Sequence, residues 1–165
     1  NNTLTAALAT IKENNDIQFI WQTGKYYYPQ VTEALRAAGE LPNLYVTDFI
    51  KDMAAAYAAS DLVISRAGAG SISEFCLLHK PVVLVPSPNV AEDHQTKNAL
   101  ALVDKQAAIY VKDSEAEAKL MDVALSTVAD DRKLKELSEN IAKLALPDSA
   151  RIIAQEVIKL AEAEN

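Results

Sequence analysis

Four consecutive apolar residues, Val82-Val83-Leu84-Val85, lie between Pro81 and Pro86. So short a run reads as a strand, and a strand with no polar position is buried on both of its faces. Helices must then lie above and below it, which is the arrangement of a parallel sheet in an α/β fold. The rest of the chain alternates in step with that demand. Strands are predicted at 17–21, 44–47, 61–65 and 108–111. Helices are predicted at about 3–14, 28–38, 52–60, 71–79, 93–104, 131–145 and 149–163, with a further one opening at the capping box Ser114-x-x-Glu117. The expected architecture is an open, doubly wound, mainly parallel sheet of the Rossmann-like kind, as a single domain over residues 1–165. Such folds begin with a strand, whereas this sequence begins with a helix and without Met. A first strand and its glycine turn are therefore expected upstream of Asn1.

Composition narrows the function. Half of the 165 residues are hydrophobic, enough for one well-filled core. The net charge of −7 argues against nucleic acid as a partner, because a phosphate backbone needs a basic face. The single cysteine, Cys76, allows no internal disulfide and fits a reducing compartment; it reads as a core residue. No apolar run approaches the roughly 18 residues of a membrane span, and the polar, uncharged start Asn1-Asn2-Thr3 is no secretory signal.

Three segments carry chemistry. In the first, the strand at 61–65 stops at Gly68-x-Gly70 and a helical pattern starts at once. Bare backbone N–H groups and the positive end of a helix dipole make such a turn an anion site. It lacks the third glycine of the dinucleotide fingerprint and sits mid-chain, so it is a poor match to an NAD site. It is either a phosphate-facing turn or a plain strand-to-helix turn capped by Ser71. Second, Ser71-x-x-Glu74 has the form of a capping box. Glu74 either satisfies a backbone N–H there or accepts hydrogen bonds from the vicinal hydroxyls of a ribose. Third, the loop 87–95 follows the apolar strand, at the edge where open α/β sheets place ligands. His94 and Gln95 could meet sugar hydroxyls; otherwise Asp93 is an N-cap and His94 a solvated residue. No Asp-x-Asp, His-x-x-x-His or Gly-x-Ser-x-Gly occurs, so neither a metal-binding carboxylate pair nor a serine-hydrolase elbow is present in the sequence.

Three stretches taken together resemble one family. They are Val46-Thr47-Asp48-Phe49-Ile50-Lys51-Asp52-Met53-Ala54, Ser65-Arg66-Ala67-Gly68-Ala69-Gly70-Ser71-Ile72-Ser73-Glu74 and Asp93-His94-Gln95-Thr96-Lys97-Asn98-Ala99. In that order and at those intervals they look like the C-terminal domain of the MurG family, bacterial transferases that add N-acetylglucosamine to the lipid-linked muramyl pentapeptide. The resemblance implies the second Rossmann-like half of a GT-B enzyme, the half that binds UDP-N-acetylglucosamine. By motif position it implies that the backbone of Ile50 recognises uracil and that Gly68, Ala69, Gly70 and Ser71 lie over the diphosphate and sugar. It further implies that Glu74 holds the ribose hydroxyls and that His94 and Gln95 face the N-acetylglucosamine. The family often has Gln at both of the last two positions, so His94 departs from its pattern.

The resemblance also implies what this sequence does not carry. The acceptor site, the general base and a second glycine-rich loop belong to the family's N-terminal domain and to the segment ahead of Asn1. No catalytic residue is expected in this piece, no metal and no cofactor. It is expected to bind its donor weakly or not at all, and not to turn over alone. The implied partners are UDP-N-acetylglucosamine and, through the other domain, the lipid-linked muramyl pentapeptide. The implied location is cytoplasmic, peripheral on the inner membrane. Two rival readings stay open at this point. One is the donor domain or subunit of another GT-B transferase, and the other is a non-catalytic nucleotide-binding module.

Overall fold

The structure is a computed structural model and describes residues 1–90 and 93–163. Two short helices, α1 (Asn2–Ala6) and α2 (Leu8–Glu13), come first, and the strands β1 (Phe19–Gln22) and β2 (Leu44–Thr47) flank α3 (Tyr28–Ala38). Then follow α4 (Met53–Ala59), β3 (Val63–Ser65), α5 (Ala69–Leu78), β4 (Val82–Leu84), α6 (His94–Val103) and β5 (Ile109–Tyr110). A 3-10 turn (Asp113–Glu115) leads into α7 (Ala116–Val128), α8 (Asp131–Ala142) and α9 (Ser149–Ala163).

Every strand pairing is parallel, as the doubly wound reading requires, but the ladder falls into two sheets among the described residues. One is β1-β2, in register Phe19 to Leu44. The other is β3-β4-β5, with Val63 opposite Val82 and Val83 opposite Ile109. Thus β1 pairs only with β2, and β3 pairs only with β4.

The apolar strand β4 sits at the centre of the larger sheet, and its alternation divides two cores. Val82 and Leu84 face Phe75, Cys76, Ala99, Leu102 and Ile141, so α5, α6 and α8 cover that side. Val83 and Val85 face Ala116, Leu120 and Val111 on the other side, under α7. Residues 82–84 are fully buried on both faces. The smaller sheet has its own core of Leu8, Ile11, Trp21 and Val31, and Met121 from α7 completes it. One helix, α7, therefore seals both sheets. Cys76 is buried, as a core residue should be.

Several elements differ from the sequence expectation, each for a local reason. The first helix is broken at Ala7, whose amide lies within reach of both the Thr3 and Leu4 carbonyls. The first strand is shifted to Phe19–Gln22. The Ser114-x-x-Glu117 capping box does not form, because a 3-10 turn occupies Asp113–Glu115 and α7 begins at Ala116 without a side-chain cap. Asp52, by contrast, does cap α4, accepting from the Ala55 N–H at 2.9 Å. Gly39 ends α3 with φ 80°, a conformation that favours glycine.

Asn43 pins the smaller unit. It is buried, and its Nδ2 lies 2.8, 3.0 and 3.2 Å from the carbonyls of Ile11, Asn14 and Ile17. The end of α2 and the start of β1 are thereby tied to β2. Replacing Asn43 by Ala strands these carbonyls beside an apolar methyl, a loss of about 2 kcal/mol. Chemical denaturation of the Asn43→Ala variant is expected to show that drop with an unchanged slope; an unaltered midpoint would contradict the pinning role.

Candidate functional site

The residues singled out in the sequence lie beyond the C-terminal ends of the parallel strands: Ile50 after β2, the glycine turn after β3, and His94 and Gln95 after β4. That edge is where an open α/β sheet leaves room for a ligand, because each strand there hands over to a loop. Ala91 and Glu92 of the expected loop lie outside the described residues.

The glycine turn starts its helix earlier than the capping-box pattern predicts. The N-cap of α5 is Gly68, not Ser71, and no side chain caps it. The first intrahelical bond of this end is donated by Ile72 N–H to the Gly68 carbonyl, at 3.0 Å. The N–H groups of Ala69, Gly70 and Ser71 precede it and have no acceptor among the described residues. Three amides thus point out of the N-terminus of a ten-residue helix, where the macrodipole is positive. Neither Gly68 nor Gly70 has a positive φ, and a Cβ on either would meet nothing within 4 Å. Fold sterics therefore do not require these glycines. What they provide is open space above the amides.

The turn is held by α6. Gln95 Oε1 accepts from the N–H of Ala67 (3.2 Å) and from the N–H of Ser87 (2.9 Å). Asn98, one helical turn on, donates from Nδ2 to the Ala67 carbonyl at 3.1 Å. Ala67 itself is fully buried. Both polar groups of that residue are therefore fixed by one helix, and the three amides behind it are aimed. Gln95 spends its oxygen on this clamp, so only its –NH₂ remains to donate to a ligand. Asn98 was not among the residues singled out. Its position one turn after Gln95, on the same helix face, was the available signal.

Arg66 stitches the strand ends below the turn. Its Nη1 donates to the carbonyls of Val85 (3.1 Å) and Pro86 (3.2 Å) and pairs with the Asp113 carboxylate. Arg66 is half exposed, so the ion pair contributes little stability; its work is to align the ends of β3, β4 and the segment after β5.

Glu74 is not a cap. Its carboxylate accepts from the Tyr57 hydroxyl on α4, at 3.0 Å to Oε2, and no other protein donor reaches it among the described residues. The carboxylate is exposed at the second turn of α5, one turn beyond Gly70 and Ser71. Burial, reinforced by the hydrogen bond to Glu74, pushes the Tyr57 phenol up to about 12, so it stays protonated and keeps donating at neutral pH.

Ile50 is less ready than the rest. Its N–H is already taken by Gln22 Oε1 at 2.8 Å. Its neighbours Phe49 and Lys51, with Asp48 and Lys25, line a cleft of about 470 Å³. A second cleft, of about 300 Å³, lies between Pro86, Pro88, Asp93, Tyr110 and Lys112. His94 is exposed at the first position of α6, and the preceding Asp93 holds φ 55° without capping through its side chain. The structure thus bonds Gln95 to the residue ahead of the turn and sets the Glu74 carboxylate one helical turn beyond it, bonded to Tyr57. It sets Ile50 on an adjoining loop and His94 at the rim.

The chain is similar to known proteins. Residues 1–153 match the model of the Glycosyltransferase family 28 C-terminal domain. All 165 residues are 99% identical to part of the UDP-N-acetylglucosamine--N-acetylmuramyl-(pentapeptide) pyrophosphoryl-undecaprenol N-acetylglucosamine transferase of Bacteroides thetaiotaomicron, of which they cover 44%. The protein of the same name from Bacteroides fragilis is 78% identical over 162 residues, 43% of its length. The crystal structure of Acinetobacter baumannii MurG superposes with a TM-score of 0.79 at 26% identity, covering 96% of this chain and 48% of that one. The chain therefore spans less than half the length of these relatives.

If the glycines matter as open space, Gly70→Ala should not lower thermal stability, since the added Cβ meets nothing within 4 Å and alanine suits a helix better than glycine. Binding of UDP, followed by amide shifts in an NMR titration, should weaken sharply. Equal UDP binding by the variant would remove the turn from the site.

Proposed function

This chain belongs to the family of glycosyltransferase family 28 C-terminal domains, and we propose that it is the donor-binding half of an inverting N-acetylglucosaminyltransferase. The donor is UDP-N-acetylglucosamine and the acceptor is the lipid-linked MurNAc-pentapeptide. The observation that carries the reading is the trio of unpaired amides at Ala69, Gly70 and Ser71, with the Glu74 carboxylate one turn further along the same helix. The amides suit a diphosphate, and the carboxylate suits a diol. A UDP-sugar carries both, the diphosphate on the 5′ oxygen and the diol at the 2′ and 3′ positions of the same ribose.

In the transfer, an acceptor hydroxyl attacks the anomeric carbon from the face opposite the diphosphate. The bond from that carbon to the β-phosphate oxygen breaks, and UDP leaves with the electron pair. The acceptor proton passes to a base in the other half of the protein. The charge that grows on the leaving diphosphate is met by the amides at the α5 N-terminus, which the Gln95–Asn98 clamp has already aimed. Stabilisation of that kind needs no reorganisation at the moment of reaction. The –NH₂ of Gln95 and the imidazole of His94 lie on the side of the sugar. For uracil to use the Ile50 N–H, Gln22 must give way.

The reading extends to the whole protein. The relatives' name, with its undecaprenol-linked acceptor, supports a peripheral place on the cytoplasmic face of the inner membrane. No helix among the described residues is long and apolar enough to cross a membrane. Among the described residues the edges of β1 and β3 are unpaired, which supports a doubly wound order with room for one more parallel strand between them. Identity of 99% along the entire chain favours this acceptor over the rival lipid acceptors.

Calorimetric titration of the 165-residue chain with UDP-N-acetylglucosamine should give weak binding, and an assay with the lipid acceptor should give no transfer. Tight binding together with turnover by this piece alone would contradict the division of labour. Glu74→Ala should lower UDP affinity more than it lowers folding stability; an effect confined to stability would return Glu74 to a structural role.

A further inference from the structure

The donor reading gives Glu74 a task but does not say how an exposed glutamate is made precise enough for it. A glutamate side chain has several free torsions, and at the surface of a helix nothing usually selects among them. Here something does. Tyr57 lies on the neighbouring helix α4, and its ring stands edge-to-face on Phe75 with centroids 5.8 Å apart. Phe75 is 1% exposed and directly follows Glu74 in the chain. The ring is thus seated on the core at the position next to the carboxylate, and its hydroxyl reaches Glu74 Oε2 at 3.0 Å.

We propose that Tyr57 is a positioning residue that fixes the Glu74 carboxylate to receive the two ribose hydroxyls of the nucleotide. The proposal rests on the donor reading above. An ionised carboxylate has about four acceptor directions over its two oxygens. Tyr57 occupies one of them and leaves Oε1 and the other lone pair of Oε2 for the diol. A diol offers two donors at a fixed spacing, so it discriminates sharply between a carboxylate held in one plane and one that swings. Tyr57 also serves as a donor that never competes as a base, because its phenol remains protonated throughout the neutral range. The helix around it, Met53–Ala59, is otherwise built of alanine and methionine and brings no further polar side chain to Glu74.

The test compares UDP with 2′,3′-dideoxy-UDP, which lacks the diol but keeps uracil and diphosphate. Both are titrated into the 165-residue chain and its Tyr57→Phe variant, followed by NMR shifts so that millimolar affinities can be read. The parent is expected to prefer UDP by about tenfold or more. In Tyr57→Phe that preference should shrink by about three- to tenfold, with dideoxy-UDP binding unchanged. The melting temperature should hold, because the ring that packs on Phe75 is retained. If Tyr57→Phe keeps the full preference, or weakens both nucleotides equally, the proposal falls while the donor reading stands. If the parent itself shows no preference, or binds neither nucleotide, the ribose role of Glu74 falls and takes this proposal with it.

Discussion

One buried residue, Ala67, is gripped on both of its backbone polar groups by a single helix, and the site hangs from that grip. Gln95 takes its N–H and Asn98 meets its carbonyl. A strand-to-helix turn is ordinarily free to settle anywhere its dihedrals allow. Here the exit direction of β3 is fixed, so α5 must begin at Gly68 and its first three amides must emerge at one place. The clamp is made of neutral side chains. It therefore aims the positive end of the helix without placing a charge next to it that would cancel its field.

The same helix pair would let a chain of net charge −7 receive an anion. Global charge repels a nucleotide weakly and is screened within about 10 Å at ordinary salt. Backbone dipoles act at contact distance, where screening does not reach. The nearby guanidinium of Arg66 is committed to two carbonyls and to Asp113, so its part is chiefly architectural.

Much of this was legible beforehand. The apolar run at 82–85 required a strand buried on both faces, and β4 is that strand. The caps at Asp52 and Gly39 are local chemistry, fixed by neighbours three or four residues away. The glycine turn, Glu74 and Gln95 were read from motif position. What the sequence hid were contacts between residues far apart in it. Ser71-x-x-Glu74 and Ser114-x-x-Glu117 both have the letters of a capping box, yet neither forms one. In the first case the helix starts upstream, where a clamp from 28 and 31 residues away sets its beginning. The bond from Tyr57 to Glu74 spans 17 residues and leaves no local signature. The occupied Ile50 amide is of the same kind, being a contact made 28 residues away by Gln22.

The central claim is that the α5 amides receive the nucleotide's diphosphate. Amide-resolved NMR of the 165-residue chain, titrated in parallel with UDP and with uridine, tests it most directly. The account predicts large shifts at Ala69, Gly70 and Ser71 with UDP and little movement there with uridine. Equal shifts with both ligands, or a phosphate-dependent response centred on any other segment, would contradict it.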